Sequence, residues 1–269
     1  MKKRPSVALL SAGKLTDSPV TRFWGLADQL GPVKAPSLRL ASRVVNTLRA
    51  GYAVETFEPF ADCRLILLDV PDSSVPAAAA ELSRSGIAWH NKAVVLCSTW
   101  LDVSALQPLA ALGAAAGSVA PLPGFDNRLY LIEGNTRLVH ETRRLLKGRG
   151  ARFLTIEPPL KPFFLGALNC AGPLFYSLLV AASECLRQAA IPQAAGKAIL
   201  EKQLAKTLRT YLVAGRNASW EMRGLGPQVQ ALEMVQPAAA DYLRGMAKLS
   251  THLLAKTGRA AAAGSSSTP

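Results

Sequence analysis

Acidic residues are scarce in this chain. There are 18 Asp plus Glu against 31 Lys plus Arg, a net charge of +13 over 269 residues. Such a field suits anions, from nucleic acid to phosphate groups. Yet the basic residues are spread singly, aromatics make up only 6% of the chain, and no finger spacing or RNA-binding signature occurs. A nucleic-acid partner is therefore not expected, and a small anionic ligand is. Cysteine is also sparse. Cys63, Cys97, Cys170 and Cys185 include no CxxC pair, which excludes the usual zinc and dithiol motifs, and no metal is expected. The three histidines, His90, His140 and His252, fall in loop or helix-surface contexts, so no histidine base stands at an expected site. The start, Met1-Lys2-Lys3-Arg4 followed by Pro5 and a short apolar run, does not read as a secretory signal. A reducing cytoplasm is the expected location.

Hydrophobic residues make up 49% of the chain, enough for a sizeable core. One stretch, 162–183, carries no charge over 22 residues, which is the length of a membrane span. It contains Pro162, Asn169, Gly172, Pro173 and Ser177, so a helix buried on all sides within a helical domain is the preferred reading. No membrane partner is expected.

Up to residue 157, short apolar runs alternate with helical periods. Strands are expected at 6–11, 32–35, 64–70, 93–98, 118–122, 129–133 and 152–157. Helices are expected at 19–30, 38–50, 76–85, 104–112 and 136–147, the first capped by Asp17 or Ser18 with Pro19 behind it. Strands that are apolar throughout and alternate with helices imply a mostly parallel sheet covered on both faces. Beyond Pro158-Pro159 only helical periods follow, to about residue 256, and the Gly-Ser-Thr-Pro tail from residue 258 is expected to be disordered. The expected layout is an α/β domain over 1–157, an all-α domain over 158–256 and a loose tail over 257–269.

The loop Ser11-Ala12-Gly13-Lys14-Leu15-Thr16 lies where a dinucleotide fingerprint, G-x-G-x-x-G, joins a first strand to a first helix. Only Gly13 of its three glycines is present. Ser11 and Thr16 put side chains where a pyrophosphate would approach the backbone, and Asp17 would place a carboxylate at the helix end that receives phosphate. Lys14 acts the other way, as a phosphate partner. Weakened, near-normal and absent nucleotide binding all remain open on this loop alone, as does a plain strand-to-helix connection. No acid occurs between Asp28 and Glu55, where an NAD-preferring site would hold the ribose. Arg39 and Arg43 stand there instead. For Arg39 the choice is between the 2′-phosphate of NADP and a solvated helix face. Val70-Pro71-Asp72 and Cys97-Ser98 end the third and fourth expected strands, where ligands of open α/β sheets lie. Ser98 is the candidate substrate hydroxyl. Arg137, His140, Arg143, Arg144, Lys147 and Arg152 form a basic helix face, either solvated or facing an acidic partner.

Three segments carry a family likeness. Residues 62–72, Asp62-Cys63-Arg64-Leu65-Ile66-Leu67-Leu68-Asp69-Val70-Pro71-Asp72, resemble an AD-x-apolar-VPD strand. Leu106 to Leu112 with Gly113, Gly117-Ser118, Pro121 and Phe125 resemble an L-x-P-L…G…GS-HP-L-x-x-F segment, and Ala171-Gly172-Pro173 resembles a GSGPA helix start. Together they resemble the superfamily of pyrroline-5-carboxylate reductase and the 6-phosphogluconate and β-hydroxyacid dehydrogenases, most of all its bacterial Rossmann-like members with an uncharacterised helical C-terminal domain.

The resemblance implies a Rossmann-like α/β domain, a helical domain for dimerisation or substrate binding, and NADP(H) as cofactor. It implies binding residues at Ser11, Ala12, Gly13, Lys14, Leu15, Arg39, Val70, Pro71, Asp72, Cys97 and Ser98. It also implies a homodimer, since such helices commonly pack across a two-fold axis. Departures accompany it. Ala120-Pro121 stands for His-Pro, Phe164-Leu165 for Tyr-His, and no Gly-Gly-Thr-Thr segment follows Ser219; Lys161 and Asn169 lie near a lysine–asparagine pair without matching it cleanly. No catalytic residue can be assigned. The expectation is an NAD(P)-dependent oxidoreductase type with an eroded site and unknown substrate; the alternative is a non-catalytic phosphate- or nucleotide-binding or protein-interaction scaffold.

Overall fold

The computed structural model describes residues 6–16, 18–122, 125, 128–146, 150–215 and 225–263. Its chain divides into two compact units, Met1–Leu168 and Asn169–Pro269.

The first unit is built on an eight-stranded sheet. The strands are β1 (Val7–Ser11), β2 (Leu30–Lys34), β3 (Tyr52–Val54), β4 (Leu65–Asp69), β5 (Ala93–Leu96), β6 (Ala115–Pro121), β7 (Leu129–Glu133) and β8 (Arg152–Ile156), in the order β3-β2-β1-β4-β5-β6-β7-β8. β1 to β6 pair in parallel; β7 runs antiparallel to β6, and β8 parallel to β7. This is a Rossmann-like α/β fold, with the order 3-2-1-4-5-6 in its parallel part. β1 and β4 are buried at every position because both faces are covered. One face packs Leu9, Leu67 and Val95 with Val20, Phe23, Val44 and Leu145. The other packs Leu10, Leu68 and Leu96 with Val75, Leu82, Leu106 and Leu109.

Helices α1 (Leu38–Leu48), α2 (Val75–Ser83), α3 (Gln107–Ala110) and α4 (Thr136–Leu146) lie between the strands in sequence. Ser37 caps α1, its side chain accepting from the Leu40 amide, and Arg49 closes it in the left-handed region.

The helix expected over 19–30 is replaced by one 3-10 turn, Pro19–Arg22, capped by Ser18, and then by turns. The Gly25 amide bonds the Leu145 carbonyl at 2.7 Å, and a Cβ on Gly25 would come within 2.6 Å of the Arg144 carbonyl oxygen. The segment is thus drawn against the end of α4. It still buries Val20, Phe23 and Leu26, while Trp24 stays 77% exposed, so the helix-like spacing came from core plugging rather than from a helix. Asp17 lies outside the described residues. Two smaller corrections follow: β2 starts earlier than expected, at Leu30, and β3 is a short strand that carries too little apolar pattern to be read. The helix expected over 104–112 is a 3-10 turn, Val103–Leu106, followed by the single turn of α3.

Beyond β8 the chain is helical: α5 (Lys161–Ala171), α6 (Pro173–Gln188), α7 (Gln193–Ala214), α8 (Leu225–Val235) and α9 (Pro237–Ala263). Within the second unit α6 packs on α7 and α8 on α9. Two expectations fail here. Residues 258–263 are helical, an alanine-rich continuation of α9, and only 264–269 of the tail lie outside the described residues. The apolar stretch is also not buried on all sides: no residue of α6 is buried, and Leu174, Tyr176 and Val180 are exposed. By length and composition Lys161–Gln188 could cross a membrane, an 18-residue window of it having a mean hydropathy of 1.6. Gly172 interrupts it between α5 and α6.

Candidate functional site

β1, β4 and β5 end side by side, and their carboxyl ends bring together most of the residues singled out in the sequence. Ser11 faces Asp69 across the β1–β4 ladder, and the Ala12 amide donates to the Asp69 carbonyl at 3.2 Å. The Ser11 hydroxyl accepts from the Gly13 amide at 3.2 Å. Gly13 has φ +85°, and a Cβ there would lie 2.7 Å from Leu40 Cβ on α1. Only glycine fits this position, for backbone and for space. Lys14 is exposed and Leu15 half-buried. Among the described residues, the amides of Lys14, Leu15 and Thr16 bond no other described residue, which leaves them as the loop's donors toward a ligand.

The Ser18 hydroxyl donates to Asp69 Oδ2 at 2.7 Å and accepts from the Val20 amide. Asp69 is 8% exposed. Burial pushes its carboxyl up to about 6, although the Ser18 hydroxyl pulls the other way. Sequence reasoning quoted Asp69 but assigned it nothing. The signal was present, as a carboxylate ending an otherwise apolar strand.

Val70, Pro71 and Asp72 continue from β4 into a 3-10 turn, with Pro71 exposed and Asp72 half-buried. Cys97 is buried, and burial followed by the charge of Asp69 holds its thiol well above the ordinary range. It offers a ligand its backbone rather than a nucleophile. Ser98 is buried, and its hydroxyl oxygen accepts from the amides of Trp100 and Leu101 at 3.2 and 3.1 Å. That hydroxyl therefore shapes its own loop.

Arg39 sits exposed in the first turn of α1. Nearer the sheet stands Lys34, the last residue of β2 and the position where an NAD-preferring site places an acid. Its ammonium lies 3.6 Å from Glu81 and 4.8 Å from the Phe57 ring centroid. The expected lack of acid was legible, but the lysine that fills its place was overlooked.

A second polar group lies inside the first unit. The Lys161 ammonium, at the start of α5, donates to the Ser98 carbonyl at 3.1 Å, to the Leu101 carbonyl at 2.5 Å and to Ser118 Oγ at 2.8 Å. Ser118 donates to Glu133 Oε2 at 2.8 Å, and the Val103 amide donates to the same oxygen at 3.0 Å. Burial pulls Lys161 down, against Glu133, Asp102 and Asp72, and pushes Glu133 up, against Ser118 and Lys161. Lys161 is 1% and Glu133 0% exposed, so the pair ties α5, β6 and β7 to loop 98–103 rather than meeting substrate.

The basic helix face is partly engaged. Arg137 pairs with Glu141, and Arg143 lies over Phe153. His140 is exposed, and Lys147 lies outside the described residues. Among the described residues no three His, Cys, Asp or Glu group to hold a metal. Asn169 belongs to the second unit, and Ser219 lies outside the described residues.

No protein-family model matches the chain, and no curated protein matches it. Solved structures do. Protein TM1727 from Thermotoga maritima is 14% identical at TM-score 0.59, over 94% of this chain and 99% of that one. An imine reductase variant from Myxococcus stipitatus, in complex with NAD+, is 15% identical at TM-score 0.61, over 96% and 94%. An imine reductase from Aspergillus terreus, in complex with NADPH4 and dibenz[c,e]azepine, is 14% identical at TM-score 0.60, over 95% and 94%. The chain thus shares the fold of these structures over nearly its whole length, a Rossmann-type α/β region followed by an all-α region.

Proposed function

We propose that this chain binds a nicotinamide dinucleotide, with NADP(H) preferred, and is an oxidoreductase of the imine reductase and pyrroline-5-carboxylate reductase type acting on a small substrate. The observation that carries this reading is the convergence of the Gly13 loop, Val70-Pro71-Asp72 and Cys97-Ser98 on one sheet edge. Ligands of open α/β folds bind at that edge, where the strand order reverses. The solved neighbours hold NAD+ and NADPH4 on the same fold.

The residues fit such a ligand in a particular way. Gly13 keeps the backbone open against Leu40, and Lys14 with the amides of Lys14, Leu15 and Thr16 would face the pyrophosphate. Val70, Pro71 and Asp72 would flank the adenosine. Lys34 and Arg39 would draw the 2′-phosphate of NADP(H), since no acid stands at the end of β2 to favour a bare ribose. The backbone of Cys97-Ser98 would run beside the nicotinamide. NADPH, when bound, supplies a hydride; the chain supplies binding, orientation and a dry wall. Lys161 and Glu133 hold the 98–103 loop in place.

Residues 1–157 would then be the dinucleotide-binding domain and 158–256 the dimerisation or substrate domain. The exposed apolar side chains of α6 support a homodimer, in which a second copy covers them, and the Rossmann-like fold supports a cytoplasmic protein. Light scattering should give twice the chain mass. Sedimentation without detergent should leave the protein in the supernatant.

A second reading, a dinucleotide- or phosphate-binding protein without turnover, is favoured by one observation. The first crossover lacks the α-helix whose N-terminus receives phosphate, and the amides of Ala12 and Gly13 are used internally. Titration with NADPH followed by nicotinamide fluorescence tests binding in both readings. Saturable enhancement is expected, and none up to millimolar NADPH would overturn the first reading and the dinucleotide form of the second. Oxidation of bound NADPH by cyclic imines then separates the two.

A further inference from the structure

Asp69 puts a carboxylate at the end of β4, beside the loop where a dinucleotide fold receives an anion. It lies at the carboxyl end of β4, opposite Ser11 in the β1 ladder, and it bonds Ser18 Oγ at 2.7 Å just where the first crossover begins its 3-10 turn. The usual occupant of that corner is pyrophosphate, held by glycine-loop amides and a helix N-terminus. Here the Ala12 amide goes to the Asp69 carbonyl, the Gly13 amide to Ser11 and the Val20 amide to Ser18. These three amides are satisfied within the loop and strands, and of the described groups around them only the Ser18 hydroxyl reaches the acid itself.

Among the described residues Asp69 has no counter-ion. β1 presents Ser11, the 3-10 turn Ser18 and β5 the buried thiol of Cys97. Asp72, three residues on, is half-buried and Lys14, in the loop after β1, is exposed; neither is among the influences on the Asp69 carboxyl. Burial and the Ser18 hydroxyl are the two influences on its titration, and burial dominates. Burial disfavours the charged form, and an incoming diphosphate would disfavour it further.

Building on the dinucleotide reading, we propose that Asp69, at the end of β4 beside the loop, is a specificity-determining residue, so that a pyrophosphate-bridged ligand binds the form of the protein in which Asp69 carries a proton. Binding at neutral pH then takes up one proton from solvent, which comes to rest on the Asp69 carboxyl. The protonated acid no longer repels the diphosphate and gains an O–H to donate to it. Apparent affinity scales with the fraction of protein in the competent form.

The test is calorimetric titration with NAD+ at pH 5.5 and pH 7.5, each in two buffers of different ionisation enthalpy. NAD+ is used because the 2′-phosphate of NADP+ itself titrates in this window; NADP+ runs beside it. The wild type should bind roughly 25-fold more weakly at pH 7.5 than at pH 5.5, with proton uptake. Asp69→Asn should bind equally at both pH values, without uptake. Ser18→Ala removes the bond that favours the charged acid, and should strengthen binding at pH 7.5. Circular dichroism of each variant checks the fold. Binding by wild type and Asp69→Asn with the same pH dependence would overturn the role of Asp69 and leave the dinucleotide reading standing. No binding by any of the three proteins, folded and at either pH, would overturn both.

Discussion

The Lys161 ammonium stands 2.8 Å from Ser118 Oγ, which passes the contact on to Glu133. Neither charged group reaches solvent, and Glu133 Oε1 has no partner among the described residues. Removing one member of a buried pair strands the other, at a cost of about 3–5 kcal/mol. Lys161→Met should therefore lower the denaturant midpoint strongly, and adding Glu133→Gln should restore part of the loss. If the single change costs less than about 1 kcal/mol, the network does not fix loop 98–103.

Gly13 is held at φ +85° with Leu40 in the space a side chain would need. Gly13→Ala should destabilise by about 1–3 kcal/mol, since both the left-handed backbone and the contact oppose it. Leu40→Ala in the same chain should relieve the steric part. Thermal melts of the single and double variants measure this; equal melting temperatures for wild type and Gly13→Ala would refute the tight approach.

The Asp69 carboxyl titrates at about 6 in the folded chain, against an ordinary 3.8. The folded state thus holds more protons than the unfolded state between these values. Stability from this group is greatest below about 4 and is lost as pH rises through about 6. The loss is on the order of 3 kcal/mol, at 1.36 kcal/mol per unit. Asp69→Asn should stabilise the protein at pH 7.5 and not at pH 4. Urea midpoints at both values decide it, and a variant less stable than wild type at pH 7.5 contradicts the account.

Lys34 and Arg39 are the cations placed for a 2′-phosphate. Replacing either by Ala should weaken NADPH about tenfold, or 1.4 kcal/mol, and leave NADH nearly unchanged. Lys34 is already paired with Glu81, so Glu81→Ala should free it and tighten NADPH. Equal effects on both dinucleotides would remove the residue from that role.

The strands were legible because continuous apolar runs such as Leu65-Ile66-Leu67-Leu68 have no other stable home than a covered parallel sheet. The segment 19–30 misled because Val20, Phe23 and Leu26 fill the core at a helix-like spacing while Gly25 presses on α4. No local pattern reports that contact. Gly13 and its loop were visible as a changed fingerprint. Asp69, Lys34 and the Lys161–Ser118–Glu133 group were not assigned, since each draws its meaning from partners distant in sequence. The apolar length of α6 was plain, but burial by its own chain did not follow from it.

Thermal stability with and without NADPH tests the central claim most directly, that this edge of the sheet still takes a dinucleotide. NADPH held at about 100 times its Kd should stabilise the folded chain by about 2.7 kcal/mol, with a smaller gain for NADH at the same concentration. An unchanged melting temperature at millimolar NADPH and NADH would contradict it.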